Sequence, residues 1–292
     1  MSPHTSHTIR NITQRITEAL RPVYPTEECT EIVRLLLEEV TGLSRVQLLA
    51  SPLHPLTENE EKNLTEALYR LQHHEPIQYI LGKTWFYGFP LTVNRNVLIP
   101  RPETEELVTM AMQEFTKNHA LPPVVLDAGT GSGCIAIAIK SLNPQMKVAA
   151  FDLSAAALEV ARLNAASISA EIHFFRDNIV AFSGLPLSEK SGFLISNPPY
   201  IMEKEKEQMR PNVVKFEPGS ALFVSDDDPL IYYRGLKAIA QKWVISGGFL
   251  FFEINESLEK EMRNLFNEPN FYDIAVEKDM RGKPRFFRCR KA

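Results

Sequence analysis

An apolar segment that runs into a glycine-rich turn most constrains how this chain can fold. Residues 124–128 (Val-Val-Leu-Asp-Ala) precede residues 129–133 (Gly-Thr-Gly-Ser-Gly), and the apolar run 134–139 (Cys-Ile-Ala-Ile-Ala-Ile) follows. Glycine permits positive φ angles and lets a backbone approach a ligand closely. The pattern therefore predicts a buried strand, a ligand-binding turn and a helix, which together form the first unit of an α/β sheet.

The spacing of these glycines differs from that of nicotinamide-dinucleotide sites. Those sites have the pattern G-x-G-x-x-G, whereas here Gly133 comes one position early and Cys134 occupies the sixth place. The next apolar segment, residues 147–151, ends at Asp152, about where a Rossmann-type unit has its ribose-hydroxyl acceptor. The glycines alone would also fit an ordinary βα turn. With Asp127 before the turn and Asp152 after it, we favour a cofactor site.

A second short motif follows another apolar run. Residues 192–196 (Gly-Phe-Leu-Ile-Ser) have the composition of a buried parallel strand, and Asn197, Pro198, Pro199 and Tyr200 come directly after them. Open α/β sheets bind ligands at the carboxyl ends of their strands. Asparagine offers an acceptor oxygen, prolines leave carbonyl oxygens with few competing donors, and a tyrosine ring can stack on a planar group. The motif favours a ligand nitrogen that carries N–H bonds, either an exocyclic base amine or a side-chain amide.

Together, these motifs resemble those of the class I methyltransferases that use S-adenosylmethionine. Residues 127–133 are similar to the first motif of that family, and residues 197–200 to the fourth motif of enzymes that methylate amide or amino nitrogens. The resemblance implies S-adenosyl-L-methionine as the cofactor. The cofactor-binding residues that it implies are Asp127, Gly129, Thr130, Gly131, Ser132, Gly133, Asp152, Asn178 and Asn197.

Three further segments narrow the resemblance to the release-factor glutamine methyltransferases. They are residues 76–82 (Pro-Ile-Gln-Tyr-Ile-Leu-Gly), 85–88 (Trp-Phe-Tyr-Gly) and 99–105 (Ile-Pro-Arg-Pro-Glu-Thr-Glu). This resemblance implies methyl transfer to the N5 amide nitrogen of the glutamine in the Gly-Gly-Gln loop of class I peptide chain release factors. The substrate-binding residues are then residues 197–200.

The expected catalytic residues are Asn197, Pro198 and Tyr200. An amide nitrogen is a poor nucleophile because its lone pair is delocalised into the carbonyl group. The Asn197 side-chain oxygen and the Pro198 carbonyl oxygen would accept its two hydrogens and orient it, and orientation can supply several kcal/mol of the barrier reduction. The proton can leave after transfer, so this chemistry requires no strong base.

The resemblance implies an α/β fold, with a Rossmann-like, mostly parallel seven-stranded sheet and a small N-terminal helical domain joined to it by a β-hairpin. We expect a substrate-docking domain over residues 1–82, a hairpin linker over 83–100 and the methyltransferase domain over 101–292. A bundle that merely covers the catalytic domain is the alternative for the first segment. We further expect Thr26 to cap the second helix, and Trp85 and Phe86 to lie in the core.

Composition indicates which classes of protein the chain could belong to. The chain has 292 residues, 44% of them hydrophobic, and a formal net charge of −4, which argues mildly against an enzyme of duplex DNA. Its three cysteines have no metal-site spacing, and we expect no metal. The first eight residues lack the pattern of a signal peptide. We therefore expect a cytoplasmic protein that binds neither membranes nor DNA. The family resemblance implies class I release factors as its partners, and we expect a monomer.

Two other functions fit some of the same residues. One is an N6-adenine methyltransferase of DNA or RNA, since a flipped adenine would present its amine to the same motif. It would need a basic target-binding region, which the helical N-terminal segment does not resemble. The other is a non-catalytic cofactor-binding protein, against which the intact motif at residues 197–200 argues.

Overall fold

The computed structural model describes residues 8–118, 120–185 and 189–292. The prediction that the chain starts without a signal peptide falls largely on residues 1–7, outside the described residues. The chain divides into two compact units. A helical unit contains the described residues up to Gly82 together with Arg210–Phe216, and a catalytic unit contains Lys83–Met209 and Glu217–Ala292.

The α-helices of the described chain are spread over both units. They are α1 (Ile9–Leu20), α2 (Thr26–Thr41), α3 (Arg45–Ala50), α4 (Glu58–Gln72), α5 (Ile77–Leu81), α6 (Pro102–Lys117), α7 (Cys134–Leu142), α8 (Ala155–Ile168), α9 (Pro211–Phe216), α10 (Ile231–Trp243) and α11 (Glu259–Phe266).

The strands all belong to the catalytic unit. They are β1 (Lys83–Phe86), β2 (Phe89–Thr92), β3 (Val124–Ala128), β4 (Lys147–Asp152), β5 (Ile172–Arg176), β6 (Ser191–Ser196), β7 (Ile201–Met202), β8 (Phe223–Val224), β9 (Val244–Glu253), β10 (Phe271–Lys278) and β11 (Pro284–Lys291).

Apolar side chains at helical spacing form the core of the helical unit. Ile12, Ile16 and Leu20 of α1 are almost fully buried in this core. The residues Thr57 and Glu60 have the spacing of a capping box, and the structure contains one: the Thr57 hydroxyl accepts a hydrogen bond from the Glu60 amide, and the Glu60 carboxylate accepts one from the Thr57 amide. The predicted cap at Thr26 is wrong. Thr26 is already helical, and the capping position is taken by the preceding proline, which offers no side-chain acceptor.

Seven strands form the central sheet of the catalytic unit, in the order β10-β11-β9-β6-β3-β4-β5. Strands β9, β6, β3, β4 and β5 are parallel, whereas β11 and β10 are antiparallel additions at one edge. The predicted α/β class with a mostly parallel seven-stranded sheet is confirmed. The chain moves outward from β3 through β4 to β5 and then returns to the other side of β3 as β6. This reversal is the switch point at which such sheets bind ligands.

The β1–β2 hairpin packs against the catalytic unit through one of its two central aromatic residues. Phe86 is buried in the core beside α6 and β9, as predicted, but Trp85 is 62% exposed, so the prediction for Trp85 is wrong. The two residues are adjacent in a strand and therefore point to opposite faces. Buried Asn164 of α8 ties the hairpin to the glycine turn, because its amide bonds the Thr92 backbone and the Ser132 carbonyl oxygen.

Candidate active site

A cavity of about 1140 Å³, part of it open solvent, lies at the carboxyl ends of the parallel strands. The turns after β3, β4, β5 and β6 each contribute to its wall. The sequence-predicted residues that line it are Gly129, Thr130, Gly131, Ser132, Asp152, Asn178, Asn197 and Pro199. Asp127, Gly133, Pro198 and Tyr200 are not among the residues that line it. The topology thus brings both predicted motifs to one cavity.

The glycine turn has the backbone conformation that only glycine adopts readily. Gly129 and Gly131 have φ angles of 74° and 55°, and the amides of Gly129 and Thr130 both donate to the Phe151 carbonyl oxygen at 2.9 Å. A Cβ atom added at Gly131 would meet no other atom within 4 Å, so this face of the turn is open to a ligand. A Cβ atom at Gly133 would lie 3.2 Å from the Ala161 Cβ atom. Gly133 therefore permits close packing of α7 on α8.

Asp152 is the last residue of β4, and two backbone amides orient its carboxylate. The Gly131 amide donates to Oδ2 and the Ser154 amide donates to Oδ1, each at 2.9 Å. Each oxygen keeps a second acceptor site. Burial raises the pKa of Asp152, while these backbone hydrogen bonds oppose that rise. The arrangement presents an oriented carboxylate at the cavity wall, suited to accept hydrogen bonds from a pair of ribose hydroxyls.

Asp127 supports the glycine turn from inside the protein. The Thr130 hydroxyl donates to its Oδ2 at 2.6 Å, whereas buried Oδ1 has no hydrogen-bond partner among the described residues. Burial raises the pKa of Asp127 to about 7, and the Thr130 hydrogen bond opposes this rise.

The end of β5 provides the opposite part of the wall. The Asn178 side-chain oxygen accepts a hydrogen bond from the Val180 amide, so its Nδ2 group is left as the donor for a ligand. The apolar side chains of Phe151 and Ile179 line the same region. Apolar walls with one polar group at the edge suit a planar heterocycle such as adenine. The glycine turn, the oriented carboxylate and this pocket together fit S-adenosylmethionine.

A chain of hydrogen bonds holds Asn197, and it begins at Thr104, which also lines the cavity. The Asn197 Nδ2 group donates to the Thr104 hydroxyl at 3.0 Å, and that hydroxyl donates to Oε2 of Glu253 at 2.8 Å. The Tyr200 hydroxyl donates to Oε1 of Glu253 at 2.7 Å, and the Tyr233 hydroxyl donates to the Glu253 carbonyl oxygen at 2.9 Å. Burial raises the pKa of Glu253, and the hydrogen bonds from Tyr200 and Thr104 oppose that rise.

The Tyr200 side chain takes part in the hydrogen bonds around Asn197. Its hydroxyl is directed at Glu253, and the Arg285 guanidinium carbon lies 5.9 Å from its ring centroid. Burial and the charge of Glu253 raise its pKa well above the ordinary value, which keeps the phenol a hydrogen-bond donor. Asn255 also donates to the Tyr200 carbonyl oxygen at 3.3 Å. Its stacking role stays a prediction, and the structure shows it as part of the framework around Asn197.

Glu217 fixes a second stretch of the cavity rim. Its buried carboxylate accepts a hydrogen bond from the Ile99 amide at 3.1 Å and pairs with the Arg101 guanidinium at 2.5 Å. Arg101 and the neighbouring Pro218 both line the cavity. This ion pair therefore joins two distant parts of the chain at the rim.

Sequence reasoning assigned no role to Thr104, Glu217 or Glu253. A pattern was available for Glu253, because it is the last residue of an apolar strand. Asp152 and Asp127 likewise lie at or near the ends of apolar strands. Thr104 lies in the segment 99–105 that carries the family resemblance, but nothing in that segment indicated a hydrogen bond to Asn197 or Glu253. The described residues contain no group of three or more His, Cys, Asp or Glu side chains that could hold a metal ion. None of their helices is long and apolar enough to cross a membrane.

Comparisons with known proteins agree with this geometry. Residues 11–82 match the family described as the PrmC N-terminal domain, and residues 108–215 match the Methyltransferase small domain. Among solved structures, the hMettl16 catalytic domain in complex with a 3′UTR hairpin aligns with a TM-score of 0.53 and 11% identity, over 81% of this chain and 82% of that one. That identity supports the fold alone. The fold and the site define a class I methyltransferase that uses S-adenosylmethionine.

Relatives that align with nearly the whole chain identify its family. The release factor glutamine methyltransferase of Flavobacterium psychrophilum is 38% identical over 281 residues, 96% of this chain and 98% of the relative. Those of Bacteroides thetaiotaomicron and Buchnera aphidicola are 37% and 32% identical, over 95% of this chain and 98% and 95% of the relatives. The protein belongs to the family of release factor glutamine methyltransferases.

Proposed function

We propose that this protein transfers the methyl group of S-adenosyl-L-methionine to the N5 amide nitrogen of the glutamine in the Gly-Gly-Gln loop of class I release factors. One observation carries the proposal: Asn197 lines the same cavity as the glycine turn and Asp152. A methyl donor held by the turn and an amide held by Asn197 would therefore meet within one site. The names of the relatives support the choice of a release factor glutamine as the acceptor.

The cofactor is assigned to the wall formed by β3, β4 and β5. We propose that the open face of the turn at Gly131 holds the methionine part, that Asp152 accepts hydrogen bonds from the ribose hydroxyls, and that Asn178 lies beside the adenine. Asp127 would support this wall from behind through Thr130. When bound, the cofactor supplies a methyl group on a positively charged sulfur.

The acceptor amide is assigned to residues 197–200. The Asn197 Nδ2 group is already used by Thr104, so its Oδ1 atom is the part of the amide left to accept a substrate N–H. The carbonyl oxygen of buried Pro198 would accept the second. With both hydrogens held, the nitrogen lone pair can form a bond to the methyl carbon. Transfer to this nitrogen would leave the electron pair of the broken carbon–sulfur bond on the cofactor's sulfur, and the amide nitrogen would then lose a proton to solvent.

The helical unit is proposed to dock the body of the release factor. Three large apolar side chains lie within eight residues on and just after α3: Val46, Leu49 and Leu53 are 74%, 74% and 66% exposed. Clustered exposed apolar side chains are typical of protein-binding surfaces. Contacts made there, away from the glutamine, could contribute binding energy that orients the loop for reaction.

The proposal also covers the compartment, the oligomeric state and the choice between glutamine and adenine as the acceptor. Release factors act in translation, so we place the reaction in the cytoplasm, with the enzyme acting as a monomer. Methylation of an adenine in DNA or RNA is not favoured. The relatives that span the chain are named for release factor glutamine, and the RNA-bound structural neighbour shares the fold at only 11% identity.

Transfer of labelled methyl groups tests the proposal. Purified protein is incubated with labelled S-adenosylmethionine and either whole release factor or duplex DNA that contains adenine. We expect label on the release factor, located by peptide mass spectrometry on the glutamine of the Gly-Gly-Gln loop, and none on DNA. A release factor whose glutamine is replaced by alanine is the matched control. Label on adenine with none on release factor would establish the alternative.

A further inference from the structure

Asn197, Thr104 and Glu253 form a buried chain of hydrogen bonds. The groups that can donate and the groups that can accept determine the direction of each bond. Glu253 and Thr104 are each 2% exposed, and Thr104 lies with Asn197 in the cavity wall, whereas Glu253 does not line the cavity. Hydrogen-bonded polar groups at this depth are costly to leave unpaired. The register of the sheet places Asn197 next to Glu253, because Ser196 of β6 pairs with Phe252 of β9, and Asn197 and Glu253 are the residues that follow them in the chain.

When Glu253 is ionised, the donors and acceptors of this chain allow one consistent arrangement. An ionised carboxylate only accepts hydrogen bonds, so Glu253 takes the hydroxyl protons of both Thr104 and Tyr200. The Thr104 oxygen, having used its proton, can only accept from Asn197. Asn197 must therefore direct its NH₂ group to Thr104, and its Oδ1 atom is left for the substrate side. An asparagine amide is otherwise free to present either end.

We propose that Glu253 and Thr104 are positioning residues that hold the Asn197 amide with its oxygen toward the acceptor nitrogen. The inference rests on the proposed function, because it gives the Asn197 oxygen a substrate N–H to bind. Neither residue touches the reacting atoms in this account. Thr104 acts on the reaction only through the orientation of Asn197, and Glu253 acts only through the hydroxyls of Thr104 and Tyr200.

The Tyr200 branch of the same chain distinguishes Glu253 from a simple packing residue. Both carboxylate oxygens are used, one for the hydroxyl of Thr104 on α6 and one for Tyr200 at the end of the substrate motif. The carboxylate therefore fixes the first and last residues of the motif at once, Asn197 through Thr104 and Tyr200 directly. A glutamine at position 253 would fill the same volume, but its NH₂ group could not accept from a hydroxyl.

Single-turnover methylation of whole release factor tests the inference in the full-length protein. Thr104→Val removes the hydroxyl and keeps the shape, and we expect the rate to fall about 10- to 100-fold, because a misoriented acceptor costs rates of that order. Cofactor affinity, measured by calorimetry, should stay close to wild type. The variant should remain folded by circular dichroism, with its unfolding temperature lowered by a few degrees, because Glu253 and Asn197 each lose a buried partner. Thr104→Ser, which keeps the hydroxyl, should restore most of the rate. Glu253→Gln should lower the rate in the same way.

A double-variant comparison separates positioning from a merely structural effect. If Thr104 acts through Asn197, adding Thr104→Val to Asn197→Ala should cause no further loss of rate. Thr116→Val, at an exposed threonine of the same helix, is the matched control and should leave the rate unchanged.

A wild-type rate for Thr104→Val, or fully multiplicative losses in the double variant, would overturn the inference and leave the proposed function intact. Absence of glutamine methylation by the wild-type protein would instead overturn the proposed function itself, and this inference with it. If Glu253→Gln does not fold, the Thr104 series alone decides between these outcomes.

Discussion

The backbone amide of Gly131 donates a hydrogen bond to the Asp152 carboxylate at 2.9 Å, which joins the glycine turn to the end of the next strand. The two residues are therefore one structural unit of the cavity wall. The carboxylate stiffens the turn, and the turn orients the carboxylate. A change at either residue is expected to affect cofactor binding, by different physical routes.

Removal of the carboxylate should weaken cofactor binding. We expect Asp152→Ala to reduce the affinity for S-adenosylmethionine by about 1–3 kcal/mol, the cost of losing a hydrogen bond to a charged group. Asp152→Asn keeps one oxygen and should lose less. Titration calorimetry measures both, with circular dichroism to show that the variants are folded. Unchanged affinity in a folded Asp152→Ala protein would remove this residue from the site.

A methyl group on the glycine turn should block the cofactor without a clash in the protein. Gly131→Ala would place its Cβ atom in open space, at a left-handed backbone strain of about 1 kcal/mol. We expect a folded protein with cofactor affinity at least tenfold weaker, by calorimetry. Gly282→Ala is the matched control, because Gly282 has φ of 82° and similarly open surroundings. Equal cofactor affinity in the two variants would contradict the assignment of the turn.

Asn197 should matter for turnover more than for cofactor binding. We expect Asn197→Ala to lower the single-turnover rate of release factor methylation by about a hundredfold or more, as for other oriented hydrogen bonds at reacting groups. Its effect on cofactor affinity should be much smaller. Rapid-quench measurements at saturating cofactor give the rate. A wild-type rate would show that the acceptor amide is held elsewhere.

Asp127 should make the stability of the cofactor-free protein fall as pH rises. Its pKa is about 7 in the folded protein against about 3.9 when unfolded, so between these values the folded state holds a proton that the unfolded chain has lost. Asp127→Asn lacks this contribution. Its free energy of unfolding relative to wild type should rise from pH 4 to pH 7, by up to about 4 kcal/mol.

Denaturant titrations at a series of pH values measure that difference. Asp227→Asn, at an exposed carboxylate, controls for the loss of one charge. A difference between Asp127→Asn and wild type that stays constant from pH 4 to pH 7 would show that Asp127 is not a high-pKa group.

The exposed apolar side chains of α3 provide a test of docking. If they contact the release factor, Leu49→Asp should raise the KM for whole release factor about tenfold, as loss of one central interface residue commonly does. Methylation of a short Gly-Gly-Gln peptide should not change. Leu163→Asp, at a leucine of α8 that is 63% exposed, is the matched control. An equal KM for whole release factor in the two variants would indicate that α3 does not contact the release factor.

Local sequence patterns predicted the elements better than the links between them. The apolar runs at β3, β4 and β6 gave both the strands and the positions of Asp152 and Asn197, because residues that follow buried parallel strands share one edge of the sheet. The Thr104–Glu253 hydrogen bond joins residues 149 positions apart and depends on where α6 crosses the sheet. No periodicity encodes that crossing.

Helix ends and strand starts were also less predictable. The apolar pattern over residues 232–245 predicts one helix, but α10 ends at Trp243 and Val244 begins β9. Val244 is fully buried and pairs with Ser191, and β-branched residues pack well in strands. The aspartates 226–228 have the composition of a helix cap, but Asp228 pairs with Arg234, and the N-terminal capping position of α10 is Leu230.

The assignment of Arg210–Phe216 to the helical unit has a consequence for how such enzymes can be recombined. The polypeptide crosses between the units three times, after Gly82, after Met209 and after Phe216. The helical unit is therefore not one continuous segment that a single deletion could remove. Within it, Arg210 pairs with Glu28 of α2 at 2.9 Å. A chimera that takes the N-terminal helices of one relative and the sheet of another would have to exchange α9 as well. Deletion of the first 82 residues would leave α9 without the rest of its unit. Loss of activity in such a variant would therefore not by itself establish docking.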